Sequence, residues 1–185
     1  MTTPLPLPLP LPGSGNPLAA PVAVPAPALF LASDDLLPRV RPATDADLPE
    51  LHRLDKEVFQ EHAYPYFVLR QFYDLYRDDL FVVDDGRTLL GYVLSGAASD
   101  RSRSWILGLA IDRRWRGHGL GRRLMAESLR RLRGQGVREV WLTVEPGNAT
   151  AIELYVSLGF SYVDRRSGYF GPAADRLLMV LPLGS

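Results

Sequence analysis

The order of strand and helix signals predicts an α/β domain on a mixed sheet, and three observations carry that expectation. Apolar runs of strand length alternate with amphipathic helical segments from about residue 38 onward. A strand, a glycine-rich turn and a helix follow one another directly from Leu109 to Met125. The first 33 residues carry no charged side chain and hold nine of the 16 prolines, which sets them apart from the rest.

That opening stretch alternates Pro and Leu from Pro4 to Pro12, a pattern that forbids a helix and favours polyproline II. It lacks the cationic start and unbroken apolar run of a signal peptide, and its prolines interrupt any span of the ~20 apolar residues a membrane helix requires. Residues 1–37 are therefore expected to be a disordered Pro-rich tail, with a docking segment for a proline-recognising partner as the alternative.

The domain is expected over residues 38–185. A short strand near Arg39 leads to Thr44, read as an N-cap, with Asp45 and Asp47 in the first helical turn where the dipole favours carboxylates. Leu48, Leu51, Leu54 and Val58 recur at helical spacing, which predicts a helix over 45–61. The segment 63–67 breaks it, and Val68, Phe72, Leu75 and Tyr76 predict a second helix ending near Asp78. Two strands flank a turn at Gly86, and a third apolar run covers 104–112. Residues 119–133 read as a helix with Leu120, Leu124, Leu129 and Leu132 inward, stopped by Gly134 and Gly136. A strand over 137–145 follows, then a helix capped by Asn148 and closed by Gly159, then two strands near 160–166 and 175–182.

Lys+Arg and Asp+Glu balance at 21 each, so the chain presents no net field for nucleic acid or an anionic membrane, and neither is an expected partner. With no cysteine there is no disulfide framework, thiolate nucleophile or Cys-ligated metal, which suits a cytoplasmic location. His52, His62 and His118 form no metal-ligand spacing, and no metal is expected.

The turn Arg116-Gly117-His118-Gly119-Leu120-Gly121 is the most informative segment. Glycines at a strand-to-helix junction let main-chain N–H groups approach a phosphate, and the helix start favours its charge. Arg116, Arg122 and Arg123 add full positive charges beside those amides, so a pyrophosphate is the expected guest. The dinucleotide fingerprint fails, because Arg122 or Leu124 stands where its third glycine belongs, and no Gly-Lys-Ser/Thr is present for a P-loop. His118 reads as a solvated turn residue, with nothing adjacent to make it a base.

Arg116-x-x-Gly119-x-Gly121 resembles the Arg/Gln-x-x-Gly-x-Gly/Ala signature of GNAT acetyltransferases, and Asn148 to Phe160 is similar to their Asn-x-x-Ala-x-x-Leu-Tyr-x-x-x-Gly-Phe motif. The resemblance covers about residues 39–183 and implies the acyl-CoA N-acyltransferase fold, a mixed, mostly antiparallel sheet with flanking helices. It implies acetyl-CoA as co-substrate, its pyrophosphate on the amides of Arg116, Gly117, His118, Gly119, Leu120, Gly121 and Arg122. It also implies the pantetheine arm along Leu109, Ala110 and Ile111, with Asn148 in contact. Tyr155 becomes the general acid that protonates the leaving thiolate, a role for which an ordinary phenol of pKa ~10 is suited.

Within the family, residues 139–160 and the closing hairpin resemble the ribosomal-protein-alanine N-acetyltransferase type, which implies an N-terminal α-amine as acceptor. The glutamate base of that type is replaced here by Thr143, which cannot do its work. Glu145, two residues on and expected on the same strand face, is the substitute base acting through a water, with Glu57 and Glu61 as others. Aromatic loops at 62–67 and at Tyr169-Phe170 are expected to border the acceptor site, with packing of the helix junction by Tyr64, Tyr66 and Phe67 as the alternative. Acetylation of a small amine and a CoA-binding module without turnover stand as alternatives, and the oligomeric state is not legible.

Overall fold

The computed structural model describes residues 37–184. The expected tail therefore lies outside the described residues, Leu37 excepted. Strand β1 (Arg39–Pro42) is followed by helices α1 (Leu48–Phe59) and α2 (Tyr66–Tyr76), then by strands β2 (Leu80–Asp84), β3 (Leu89–Ala97) and β4 (Arg103–Ile111). Helix α3 (Leu120–Gly134), strand β5 (Glu139–Val144), helix α4 (Ala149–Ser157) and strands β6 (Ser161–Arg166) and β7 (Arg176–Pro182) complete the order. Each predicted strand and helix is present.

The first helix differs in detail. Its opening turn, Asp45–Asp47, is 3₁₀, and the α-helix begins at Leu48 with Pro49 in its first turn. Thr44 is the N-cap, as expected, and forms a capping box with Asp47, whose carboxylate accepts from the Thr44 N–H (2.7 Å) and hydroxyl (2.8 Å). The helix stops where Gln60 takes a positive φ of 54°.

The strands form one seven-stranded sheet in the order β1-β2-β3-β4-β5-β7-β6. Every neighbouring pair is antiparallel except β4 and β5. Those two are joined through α3, and such a crossover is the connection that parallel neighbours require. The sheet is thus mixed and mostly antiparallel, as the resemblance implied.

Each face of the sheet carries its own core. Leu120, Leu124, Leu129 and Leu132 of α3 pack with Val140, Leu142 and Tyr155 on one side. Leu51, Leu54 and Leu69 of α1 and α2 pack with Val82, Tyr92 and Leu94 on the other. All four leucines predicted inward on α3 are buried, each contributing on the order of 1.5–3 kcal/mol through apolar area removed from water. Alternation along β5 sends Val140, Leu142 and Val144 into the α3 core while Glu139, Trp141 and Thr143 face the other way. Among the described residues no helix is long and apolar enough to cross a membrane.

Candidate active site

The site begins where β4 and β5 part. They pair in parallel from Arg103↔Glu139 to Ile106↔Leu142, and there the pairing ends, although β4 runs on to Ile111 and β5 to Val144. On its other side β4 stays bound to β3 throughout, with a register shift that leaves Leu107 as an extra residue between the pairs Ser95↔Ile106 and Leu94↔Gly108. Such a bulge bends its strand and turns its side chains. Ile106 and Leu109 pack on the α3 core, whereas Leu107 packs on the α1–α2 core.

Main-chain direction follows from one bond. The Asp112 N–H donates to the Leu90 carbonyl at 2.8 Å. Antiparallel alternation then directs the peptide groups of Ala110 and Gly108 toward β3 and those of Leu109 and Ile111 away from it, to the side β5 has left. Of the predicted trio, Leu109 and Ile111 therefore offer amides to a ligand in the cleft, while those of Ala110 are engaged with Tyr92 across the ladder.

Asp112, 1% exposed, closes the end of β4. Its carboxylate accepts from the Arg114 N–H at 2.9 Å and from the Arg114 guanidinium at 2.6 Å, and these hold it below the usual carboxylate range. The glycine turn follows. Gly117 and Gly119 have φ of 79° and 76°, in the left-handed region that L side chains enter at a cost of roughly 1–2 kcal/mol. A Cβ on either would meet nothing within 4 Å, so here glycine serves the backbone conformation and leaves the space above it open. Gly119 is the N-cap of α3 and provides no side-chain cap for the first amides of that helix. Gly121 acts through packing instead. A Cβ there would lie 3.2 Å from Leu154 Cδ2, so its absence lets α3 approach α4.

The predicted cations divide. Arg116 is exposed, its Nε 3.4 Å from the Ile111 carbonyl. Arg122 reaches the Ser157 hydroxyl on α4 at 2.5 Å, and Arg123 reaches the Pro38 carbonyl at 2.7 Å. His118 is exposed with Nδ1 3.0 Å from the Arg116 carbonyl.

On α4, Asn148 Oδ1 accepts the Ala151 N–H at 3.1 Å, so that oxygen is spent on the cap and the amide nitrogen is what remains for a ligand. Tyr155 is 7% exposed, its ring 5.8 Å from that of Phe160. Its hydroxyl takes part in no hydrogen bond within the described residues. Burial pushes the phenol up to about 12. It stays protonated, and a donor, well beyond neutral pH.

The base expected on the face of β5 is placed otherwise. β5 ends at Val144, and Glu145 opens the following turn, its carbonyl accepting the Asn148 N–H at 3.0 Å. Strand alternation therefore does not carry Glu145 to the face of Thr143, because the strand has ended before it. Glu145 is exposed, as is Glu61, while Glu57 is paired with Arg53 at 2.6 Å. The aromatic loops also divide: Tyr64 packs edge-on against Phe72, whereas Phe67 and Phe170 are 65% and 64% exposed. Among the described residues no group of His, Asp or Glu is arranged to hold a metal.

Sequence reasoning passed over Asp55. It is fully buried on α1, accepts the Tyr64 N–H at 2.7 Å and receives the Tyr92 hydroxyl. Burial pushes its carboxyl above the usual range, against those two hydrogen bonds. The signal was available: Asp55 lies four residues after Leu51 and three before Val58, on the stripe that the apolar periodicity turns inward.

Parallel strands that part beside a glycine turn and an uncapped helix start form an arrangement whose chemistry suits an extended phosphate-bearing ligand. The model of the acetyltransferase (GNAT) family matches residues 46–160, and the chain belongs to that family. The ribosomal protein bS18-alanine N-acetyltransferase of Salmonella typhimurium is 37% identical over 81 residues, covering 42% of this chain and 55% of its own. The chain thus spans about half the length of that relative. An N-alpha-acetyltransferase of Sulfurisphaera tokodaii is 25% identical over 156 residues, 78% of this chain and 93% of its own. Among solved structures, the ribosomal-protein-S18-alanine N-acetyltransferase of Escherichia coli superposes with a TM-score of 0.71 at 23% identity, covering 80% of this chain and 96% of that one. The NatC complex bound to Gag peptide and CoA gives 0.73 at 21%, covering 80% and 99%.

Proposed function

We propose that the chain transfers the acetyl group of acetyl-CoA to the N-terminal α-amine of a peptide or protein. The observation that carries this reading is the end of β4–β5 pairing at Ile106 and Leu142, which frees the amides of Leu109 and Ile111 beside the uncapped start of α3. The diphosphate of the co-substrate fits the amides from Gly117 to Arg122, with Arg116 adding charge. Its pantetheine arm fits the open edge of β4, and Asn148 contributes its amide nitrogen.

In the transfer a neutral amine attacks the acetyl carbonyl, whose oxygen is polarised by a main-chain N–H of the open β4 edge. The new C–N bond forms, the C–S bond breaks, and the departing sulfur takes the proton of Tyr155. The amine loses its proton through water to Glu145, the exposed carboxylate of the turn that follows β5. The N-terminal acceptor is supported by relatives named for alanine and N-alpha acetylation, and by the exposed rings of Phe67 in the first turn of α2 and Phe170 in the β6–β7 loop, suited to gripping a chain end. The 38–185 segment acts as one catalytic domain, and a chain without cysteine is compatible with a cytoplasmic location.

The test is CoA release with a panel of N-terminal peptides and small amines, run beside calorimetry with CoA. Turnover with peptides is expected. Turnover with small amines alone would overturn the acceptor, and absence of CoA association would overturn the whole reading.

A further inference from the structure

We propose that Asp55 is a positioning residue for the transfer, holding the β4 bulge at Leu107–Gly108 through Tyr64 and Tyr92. The proposal rests on the acetyltransferase reading and adds to it a group on the opposite face of the sheet from the glycine turn.

A fully buried carboxylate with no Lys or Arg partner among the described residues is an expensive way to fill a core, where an apolar side chain of that size would serve packing at lower cost. What the carboxylate does is gather two tyrosines. One oxygen takes the Tyr92 hydroxyl from β3, and the other takes the Tyr64 N–H from the α1–α2 connection at 2.7 Å. Both tyrosines then meet β4 at consecutive residues. The Tyr64 hydroxyl donates to the Leu107 carbonyl at 3.0 Å, and the Tyr92 hydroxyl lies 2.9 Å from where a Gly108 Cβ would stand. Leu107 is the extra residue of the bulge, and Leu109, one residue past Gly108, is the first beyond the last β4–β5 pair whose peptide groups face away from β3. The direction of that amide is thus set where the Asp55 assembly touches the strand. The same carboxylate also fixes the connection that leads to Tyr66 and Phe67, so both the acyl and the acceptor sides of the cleft depend on it.

A misplacement of about 1 Å in a reacting group is worth up to ~10²-fold in rate. The experiment compares Asp55→Asn and Tyr64→Phe with the wild type in the full chain. It reads kcat and KM for acetyl-CoA with an alanine-initiated hexapeptide, Kd for CoA by calorimetry, and Tm. Expected is a fall in kcat of about tenfold or more in both variants, with CoA Kd and acetyl-CoA KM within about twofold, because the phosphate cradle lies elsewhere. A lowered Tm with wild-type kcat per folded molecule marks a structural role and overturns the proposal. If Asp55→Asn does not fold, Tyr64→Phe decides, since it deletes one hydroxyl and no packing. A wild type that binds CoA but never turns over refutes the acetyltransferase reading itself, a result distinct from active wild type with unaffected variants.

Discussion

Replacing Tyr155 by Phe separates folding from catalysis. The hydroxyl has no hydrogen-bond partner among the described residues, so its removal leaves no orphaned group and should cost less than about 0.5 kcal/mol at pH 8. As the proton donor to the leaving sulfur it should contribute about 10²–10⁴-fold to turnover, so kcat should fall by that order while CoA affinity holds. The buried phenol also leaves a signature in alkali. Its folded pKa, about 12, is raised above the unfolded value near 10. The native state keeps its proton where the unfolded chain has lost it, so the associated stability is intact below pH ~10 and is lost as pH rises toward ~12. At pH 11 the wild type should have lost on the order of 1 kcal/mol that the Phe variant retains. Tyr64 and Tyr92 are also raised, but they are common to both proteins and cancel in the difference. Urea melts at pH 8 and pH 11, with CoA-release kinetics at pH 8, measure both quantities. An alkaline difference with unchanged kcat would show a buried phenol that catalysis does not use.

Gly119→Val should weaken CoA binding at least tenfold, since it forces an L side chain to a φ of 76° and sets its Cβ in the open space at the start of α3; unchanged Kd by calorimetry would contradict the cradle. Asp47, held at about 2 chiefly by its bidentate hydrogen bonds from Arg41, should contribute on the order of 1–2 kcal/mol at neutral pH, discounted for the half-exposed Arg41. Because that pKa is lowered, the contribution is present above pH ~4 and lost as pH falls through ~2, and urea melts of Asp47→Asn across that range should lack this acid leg. Leu124→Ala, at a fully buried position in the α3 core, should cost about 2–5 kcal/mol in equilibrium unfolding; a loss under 1 kcal/mol would mean that α3 is not packed as described.

The parts of the site that were legible in advance are those whose cause is local. The glycine turn declared itself because Gly117 and Gly119 occupy left-handed conformations between a strand and a helix, and Asn148 because it caps α4. Leu120, Leu124, Leu129 and Leu132 announced the buried face of α3 by spacing alone. Glu145 shows the limit of the same reasoning. Period-two alternation holds only while a strand lasts, and where β5 stops depends on its partners β4 and β7, not on residues 137–145. For Tyr64 the sequence left two places open, the rim of the acceptor site and the helix junction; its ring is drawn against Phe72 and its hydroxyl against Leu107, 43 residues along the chain.

From its own residues the chain determined the succession of strands and helices, the glycine-rich turn and the helix carrying Tyr155, since each depends on contacts within a few positions. Only the tertiary structure decided where β4 and β5 separate, which amides of Leu109–Ile111 face the cleft, and that Asp55 joins Tyr64 and Tyr92 beneath the bulge. Those features depend on hydrogen bonds between segments far apart in sequence, and no single segment carries the geometry of its partners.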